Sequence, residues 1–339
     1  MSATMSAAVL HGAADVRVER RAVPRAAAGQ ALLAVGHVGL CGSDVHYYRD
    51  GRNGNNELRA PAVLGHEIGG RVVEVGPEIP DELVGTTAVV EPAVPCRHCS
   101  SCTEGRYNLC ANGHCLGSPP NDGGLAEYVA VDAAQLHRAP AGLPAAAVPS
   151  LEPLAVAVHA LRRTGFAPGQ SVLVTGAGPV GLLVGQVALA WGARRVTLTD
   201  VDESRLEIAR AVGIERVFLP DELDGLRVER ALECSGAVSA LDTGVAATVP
   251  GGRVGLVGTV PDEAVRARLA PVQRYEIDLV GAFRYAGGFP EAIRLVEDGL
   301  VDLVSLGTAS YPLERAAEAL ERASSGTGVK TTVECTTGR

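Results

Sequence analysis

No run of roughly 18 apolar residues occurs in the chain, so no membrane-spanning helix is expected. The opening stretch MSATMSAAVLHG has no basic start followed by a long apolar segment, and no secretory signal is expected. No cationic tail or block is present and the formal charge is −9, which argues against a nucleic-acid surface. A disulfide scaffold is disfavoured too: eight cysteines in 339 residues are too few, and four of them crowd into one short segment. A reducing cytoplasm is the expected setting. Lysine is nearly absent: arginine supplies 29 of the 30 basic residues, and Lys330 is the other. Taken from the sequence alone, that is compositional bias without functional content. Repeats and low-complexity segments are missing as well. What is present, 47% hydrophobic and 20% charged residues, suits a globular protein with ample core, and the length suggests two domains.

The first ~150 residues read as β-rich, punctuated by Gly and Pro. AVLHGAADVRVERR reads as a hairpin, and ALLAVGHVGL, GGRVVEVG and TTAVVEPAV as strands. Residues 95–124 have no periodicity. A stretch of that length inside a compact domain needs a reason, and a bound metal is a good one. From Leu151 the texture changes. LEPLAVAVHALRRTG has helical spacing and stops on Gly165. Strands SVLVTG, RVTLTD, RVFL, RALECSG, RVGLVG and IDLVGAF then alternate with helices PVGLLVGQVALAWG, ESRLEIARAVG and SALDTGVAATV, which predicts a parallel sheet covered on both faces. FPEAIRLVEDGL and LERAAEALERA read as amphipathic helices and KTTVEC as a short strand.

Three sets of residues carry chemistry. Cys41, His66 and Glu67 offer thiolate, imidazole and carboxylate, the ligand types zinc takes most readily. Three protein ligands leave one position open for water or substrate, the pattern of a catalytic zinc, which can lower the pKa of a bound alcohol. Cys96, Cys99, Cys102 and Cys110 form C-x2-C-x2-C-x7-C, the donor set of a closed structural zinc; free thiols and an iron–sulfur cluster are the alternatives. Gly176, Gly178 and Gly181, with Pro179 and Val180 between the last two, spell G-x-G-x-x-G between a predicted strand and a predicted helix. That context is a dinucleotide fingerprint, with the phosphates at the helix N-terminus. Asp200 ends the next strand, where a carboxylate suits ribose hydroxyls and repels a 2′-phosphate, favouring NAD over NADP; Arg205 is the counter-signal.

Together these residues, with the strings CGSDVHYY, LGHE, GRYNLC, SPPNDGG, LEPLAVAVHA and FRYAGGFPEAI, resemble the zinc-dependent medium-chain dehydrogenases over essentially the whole length, most of all the sorbitol (polyol) branch. The resemblance implies an α/β protein. A GroES-like, β-rich catalytic domain would come from residues 1–152 and 286–339, and a Rossmann doubly wound parallel-sheet domain from 153–285. It implies a homotetramer or homodimer with the active site in the interdomain cleft. Glu152 matches a second glutamate that holds the zinc-bound water or ligates directly; its other reading is a helix-start carboxylate. Ser43 and His46 match a proton relay, and Tyr47, Arg284 and Tyr285 match polyol contacts. A surface histidine, core aromatics and a structural ion pair are the plain readings of His46, Tyr47 and Arg284. Val180, Asp200, Arg205, Val257, Gly258, Thr259, Ala282, Phe283 and Arg284 match nucleotide contacts. One departure is local: where the family has a Gly-Asp-Arg-Val turn, residues 84–89 read VGTTAV.

The function this implies is oxidation of a secondary hydroxyl of a polyol or sugar derivative to the ketone, with two zinc ions per chain and NAD, on a small-molecule substrate and without nucleic-acid or membrane partners. Alternatives are the same fold acting on L-idonate, L-threonine, a vicinal diol or an aminocyclitol intermediate. A non-catalytic zinc- and nucleotide-binding protein is the alternative from another class.

Overall fold

The computed structural model describes residues 3–260 and 263–336. Contacts divide the chain into one unit of residues 1–152 and 307–339 and a second of residues 153–306, so the second is an insertion in the first.

In the first unit the expected hairpin forms: Thr4–Gly12 pairs antiparallel with Asp15–Ala22. The main sheet has seven strands. Along its path lie Leu136–Arg138, Thr87–Val90, Glu67–Val75, Gln30–Gly39, Lys330–Glu334 and Gly307–Pro312, and Tyr128–Asp132 also pairs with Gln30–Gly39. Its pairings are antiparallel except the last, where Gly307–Pro312 runs parallel to Lys330–Glu334. Inward residues such as Val9, Leu33, Val38, Ile68, Leu125 and Val333 are fully buried and form one aliphatic core. The expected strand at residues 86–94 breaks at Glu91–Pro92, since Pro cannot donate to the ladder. Residues 95–124 hold only short elements, Ser100–Thr103, Tyr107–Leu109 and His114–Cys115.

The second unit has a six-stranded, all-parallel sheet. Its order is Arg216–Phe218, Arg195–Thr199, Ser171–Thr175, Val228–Glu233, Thr248–Leu256, Asp278–Gly281, which is 3-2-1-4-5-6 in chain order, the doubly wound arrangement expected. The helix Pro179–Ala190 is buried along most of its length, as a helix laid on a parallel sheet must be. The second unit extends further than the expected end at residue 285. Phe289 packs edge-on against Tyr285, Trp191 donates to Glu291, and Gln186 exchanges hydrogen bonds with Asp302. These contacts bind residues 286–306 to the nucleotide-type unit. Among the described residues no helix is long and apolar enough to cross a membrane.

Candidate metal centre and dinucleotide site

Cys41 follows the strand Gln30–Gly39 and stands at the N-cap of the helix Gly42–Asp50. Glu67 opens the neighbouring strand, where Gly39 pairs with it, and His66 directly precedes that strand. The ligand atoms of Cys41, His66 and Glu67 lie within 4.8 Å of one another, a mixed sulfur, nitrogen and oxygen set that fits zinc. Asp44, fully buried, locks the two segments together. Its Oδ2 accepts from the Cys41 N–H at 2.9 Å and its Oδ1 from the Gly65 N–H at 3.2 Å, while His66 Nδ1 lies 3.8 Å from Oδ1. Burial works against a charged His66, but the neighbouring Asp44 and Cys41 outweigh it and raise its pKa well above the ordinary value. Glu152 is buried in the same unit but falls outside the set of three close donors.

Lys330, passed over in the sequence, is the most unexpected member of the site. It is 2% exposed, and its Nζ donates to both oxygens of Glu67 at 2.7 Å and to the Leu40 carbonyl at 3.2 Å. Burial pulls its pKa down, but the charges of Glu67, Cys41 and Glu152 prevail and hold it above the ordinary value. The strand pairing delivers it: Thr332 lies opposite Gly39, and the Leu40 N–H bonds to the Thr331 carbonyl. Gly39 is needed here because a β-carbon would overlap Glu67 Oε2. The sequence signal was a single lysine, but its partner lies 263 residues away.

The four lobe cysteines come together as expected. Sulfur–sulfur separations are 3.5 Å for Cys99–Cys102, 3.8 Å for Cys99–Cys110 and 4.0 Å for Cys96–Cys102. Four sulfurs about 2.3 Å from a central zinc would stand about 3.8 Å apart, so the set fits that ion. Backbone N–H groups of His98 and Cys99 pull the Cys96 thiol down to about 6. The lobe is moored by Glu91, itself buried: Tyr107 donates to its Oε1 at 2.6 Å and His137 pairs with its Oε2 at 2.9 Å.

In the second unit the fingerprint turn follows Ser171–Thr175 and leads into Pro179–Ala190. Gly176 has φ +105°, a region L-residues avoid, and a β-carbon on Gly181 would overlap the Gly176 carbonyl. A β-carbon on Gly178 would meet nothing within 4 Å, so that side of the turn is open to a pyrophosphate. Asp200 does more than expected. Its Oδ2 accepts from the Ala177 N–H at 2.6 Å and its Oδ1 from the Asp202 N–H at 2.9 Å, tying the turn to the end of the next strand. Arg205 Nε lies 3.8 Å from Asp202 Oδ2. Val257 and Gly258 donate to the Glu233 carbonyl, and Ala282 to the Leu256 carbonyl, placing both segments at the carboxyl ends of the strands.

The remaining expected residues are dispersed in role. Ser43 and His46 are half-buried and share a face of the helix Gly42–Asp50, and His46 Nδ1 lies 3.6 Å from Asp50. Tyr47 is buried in the core of the first unit with its hydroxyl bound by Asn56 at 2.7 Å and 3.2 Å from Ser118 Oγ. Arg284 has a left-handed backbone, φ +52°, and lies over the Phe283 ring. Tyr285 is fully buried against Phe289.

Residues 27–141 match the alcohol dehydrogenase GroES-like domain family, and residues 179–298 match the zinc-binding dehydrogenase family. The sorbitol dehydrogenase of Bacillus subtilis (strain 168) is 36% identical over 329 residues, 94% of this chain and 93% of that one. Human sorbitol dehydrogenase is 36% identical over 339 residues, 96% of this chain and 95% of that one. The L-idonate 5-dehydrogenase of Escherichia coli K-12 superposes with a TM-score of 0.91 at 30% identity, covering 98% of this chain and 99% of that one. An E. coli CFT073 alcohol dehydrogenase complexed with NADH has a TM-score of 0.90 at 25% identity, covering 98% and 100%. A Sinorhizobium meliloti 1021 zinc-binding dehydrogenase bound to NADP also reaches 0.90, at 27% identity and the same coverage. The chain belongs to the zinc-dependent medium-chain dehydrogenases, enzymes that work with zinc and a nicotinamide dinucleotide, in their sorbitol dehydrogenase-like branch.

Proposed function

We propose that the protein oxidises a secondary hydroxyl of a polyol or sugar derivative to the ketone, with NAD as hydride acceptor. The observation that carries this is the convergence of Cys41, His66 and Glu67 on one point. Zinc held there would supply Lewis-acid activation of the alcohol, and a bound dinucleotide would supply the hydride acceptor. Ser43 accepts the alcohol proton and His46, on the same helix face and half-exposed, passes it to solvent. Glu152 acts through water rather than as a close ligand. Arg284 reads the substrate's flanking hydroxyls. Its left-handed backbone supports this, because strained conformations in non-glycine residues gather at functional sites. Tyr47 keeps its hydroxyl in the Asn56–Ser118 network and Tyr285 packs on Phe289, so each serves its own unit's core.

Asp200 favours NAD over NADP, since a carboxylate at the end of this strand suits ribose hydroxyls and repels a 2′-phosphate, and its Oδ2 reaches the fingerprint turn at the Ala177 N–H. We also read the chain as a homodimer or homotetramer. The strand Asp278–Gly281 ends its sheet and carries exposed Leu279, with Phe283 exposed beyond it, an edge suited to a second copy. The eight cysteines are unpaired, which suits a cytoplasmic setting.

A panel of polyols, vicinal diols, L-threonine and sugar acids, each with NAD and with NADP and followed by coenzyme reduction, tests the assignment. Fastest turnover of a polyol with NAD is expected. A sugar acid turned over well ahead of every polyol would move the substrate class toward idonate, a reading that the guanidinium of Arg284 also serves.

A further inference from the structure

Lys330 is the only lysine in the chain and it is buried. Burying an ammonium without partners is strongly unfavourable, so its position demands acceptors. It has one for each N–H: Glu67 Oε1, Glu67 Oε2 and the Leu40 carbonyl. Both oxygens of a metal-ligating carboxylate are thus already engaged by a cation. Gly39 is bare where any side chain would collide with that carboxylate, so the pair has room made for it. Three acidic groups, Glu67, Cys41 and Glu152, act on this one ammonium.

We propose that Lys330 is a positioning residue of the metal centre, which fixes Glu67 and shares it with the ion, so that the site holds zinc less tightly than its donors alone would. This rests on the zinc reading of Cys41, His66 and Glu67. Two effects act in the same direction. In the metal-free site the ammonium stands in for the missing positive charge and lowers the cost of gathering acids there. In the loaded site it opposes the ion and keeps part of the carboxylate's electron density. Removing the ammonium therefore tightens zinc binding.

The test is equilibrium competition for zinc between the full chain and a chelator. The binding component that disappears in Cys41→Ser belongs to this site, and the component that stays belongs to the cysteine lobe. Lys330→Met is expected to tighten the first component by about tenfold or more, leaving the second unchanged, and Lys330→Arg to restore the original affinity. A folded Lys330→Met protein whose first component is unchanged or weaker overturns the proposal. A second measurement needs no variant at position 330. With one lysine, ε-15N-lysine labelling gives a single side-chain amine signal. It is expected to shift when zinc fills both sites and to stay put when zinc fills the lobe alone in Cys41→Ser. A signal that ignores zinc in the unaltered chain overturns the proposal. Absence of any Cys41-dependent zinc component would instead defeat the zinc reading beneath it.

Discussion

The two candidate metal sites of the first unit pose opposite problems. The cysteine lobe uses four identical donors, all partly exposed, at the spacing of a closed tetrahedron. Four such sulfurs would satisfy a zinc ion alone, and the protein adds little beyond backbone N–H groups and the Glu91 mooring. The Cys41–His66–Glu67 site has one donor of each kind and is surrounded by fixed charge: Asp44 behind Cys41 and His66, Lys330 behind Glu67. A site that saturates its ion needs no such surroundings. One that must leave a position free for substrate takes its order from a second layer of charges and hydrogen bonds.

Four substitutions sharpen that contrast. Cys41→Ser is expected to lower turnover by at least about a thousandfold, because Lewis-acid activation is worth several kcal/mol. Thermal unfolding should remain near that of the unaltered chain, and retained activity would remove the ion from the reaction. Cys99→Ser in the lobe should do the reverse in kind, costing roughly 3 kcal/mol or more of stability, because metal binding there is folding energy. Thermal denaturation with metal analysis would check it; an unchanged midpoint would mean the lobe stands without metal. Asp44→Asn replaces an acceptor oxygen by an amide against the Cys41 N–H and is expected to weaken zinc affinity or turnover by about ten- to a hundredfold. No effect would deny the mixed site its second layer. Smallest is Glu91→Gln, which weakens the mooring to Tyr107 and His137 by about 1–2 kcal/mol in denaturant titration with kcat preserved. A loss of activity there would show that the lobe and the reaction are coupled.

Much of this was legible beforehand because it is local in sequence. The fingerprint lies within six residues, the lobe cysteines within fifteen, and the β–α alternation sets periodicities that survive any packing. Three features were hidden for three physical reasons. The helix Gly42–Asp50 carries mostly polar residues, with only Asp44 and Tyr47 buried, so no apolar stripe announced it. The strand Gly307–Pro312 sits at the sheet's end with no inward-facing alternation to give it away. Lys330 was set aside because a lone lysine is ordinarily solvated, and only the pairing of two distant strands turns it inward. Asp44 was in view within CGSD, but its role as a tie between two loops depends on a partner 21 residues on.

The strand Lys330–Glu334 has a consequence for how the molecule comes to exist. It contributes the ammonium that grips Glu67, and its pairing with Gln30–Gly39 closes a loop of roughly 290 residues in which the entire second unit is contained. During synthesis the dinucleotide-type unit can fold while Glu67 still lacks its cation. A nascent chain stopped before residue 330 would carry all three zinc donors, yet it would meet metal ions in the cell without the group that tempers their hold.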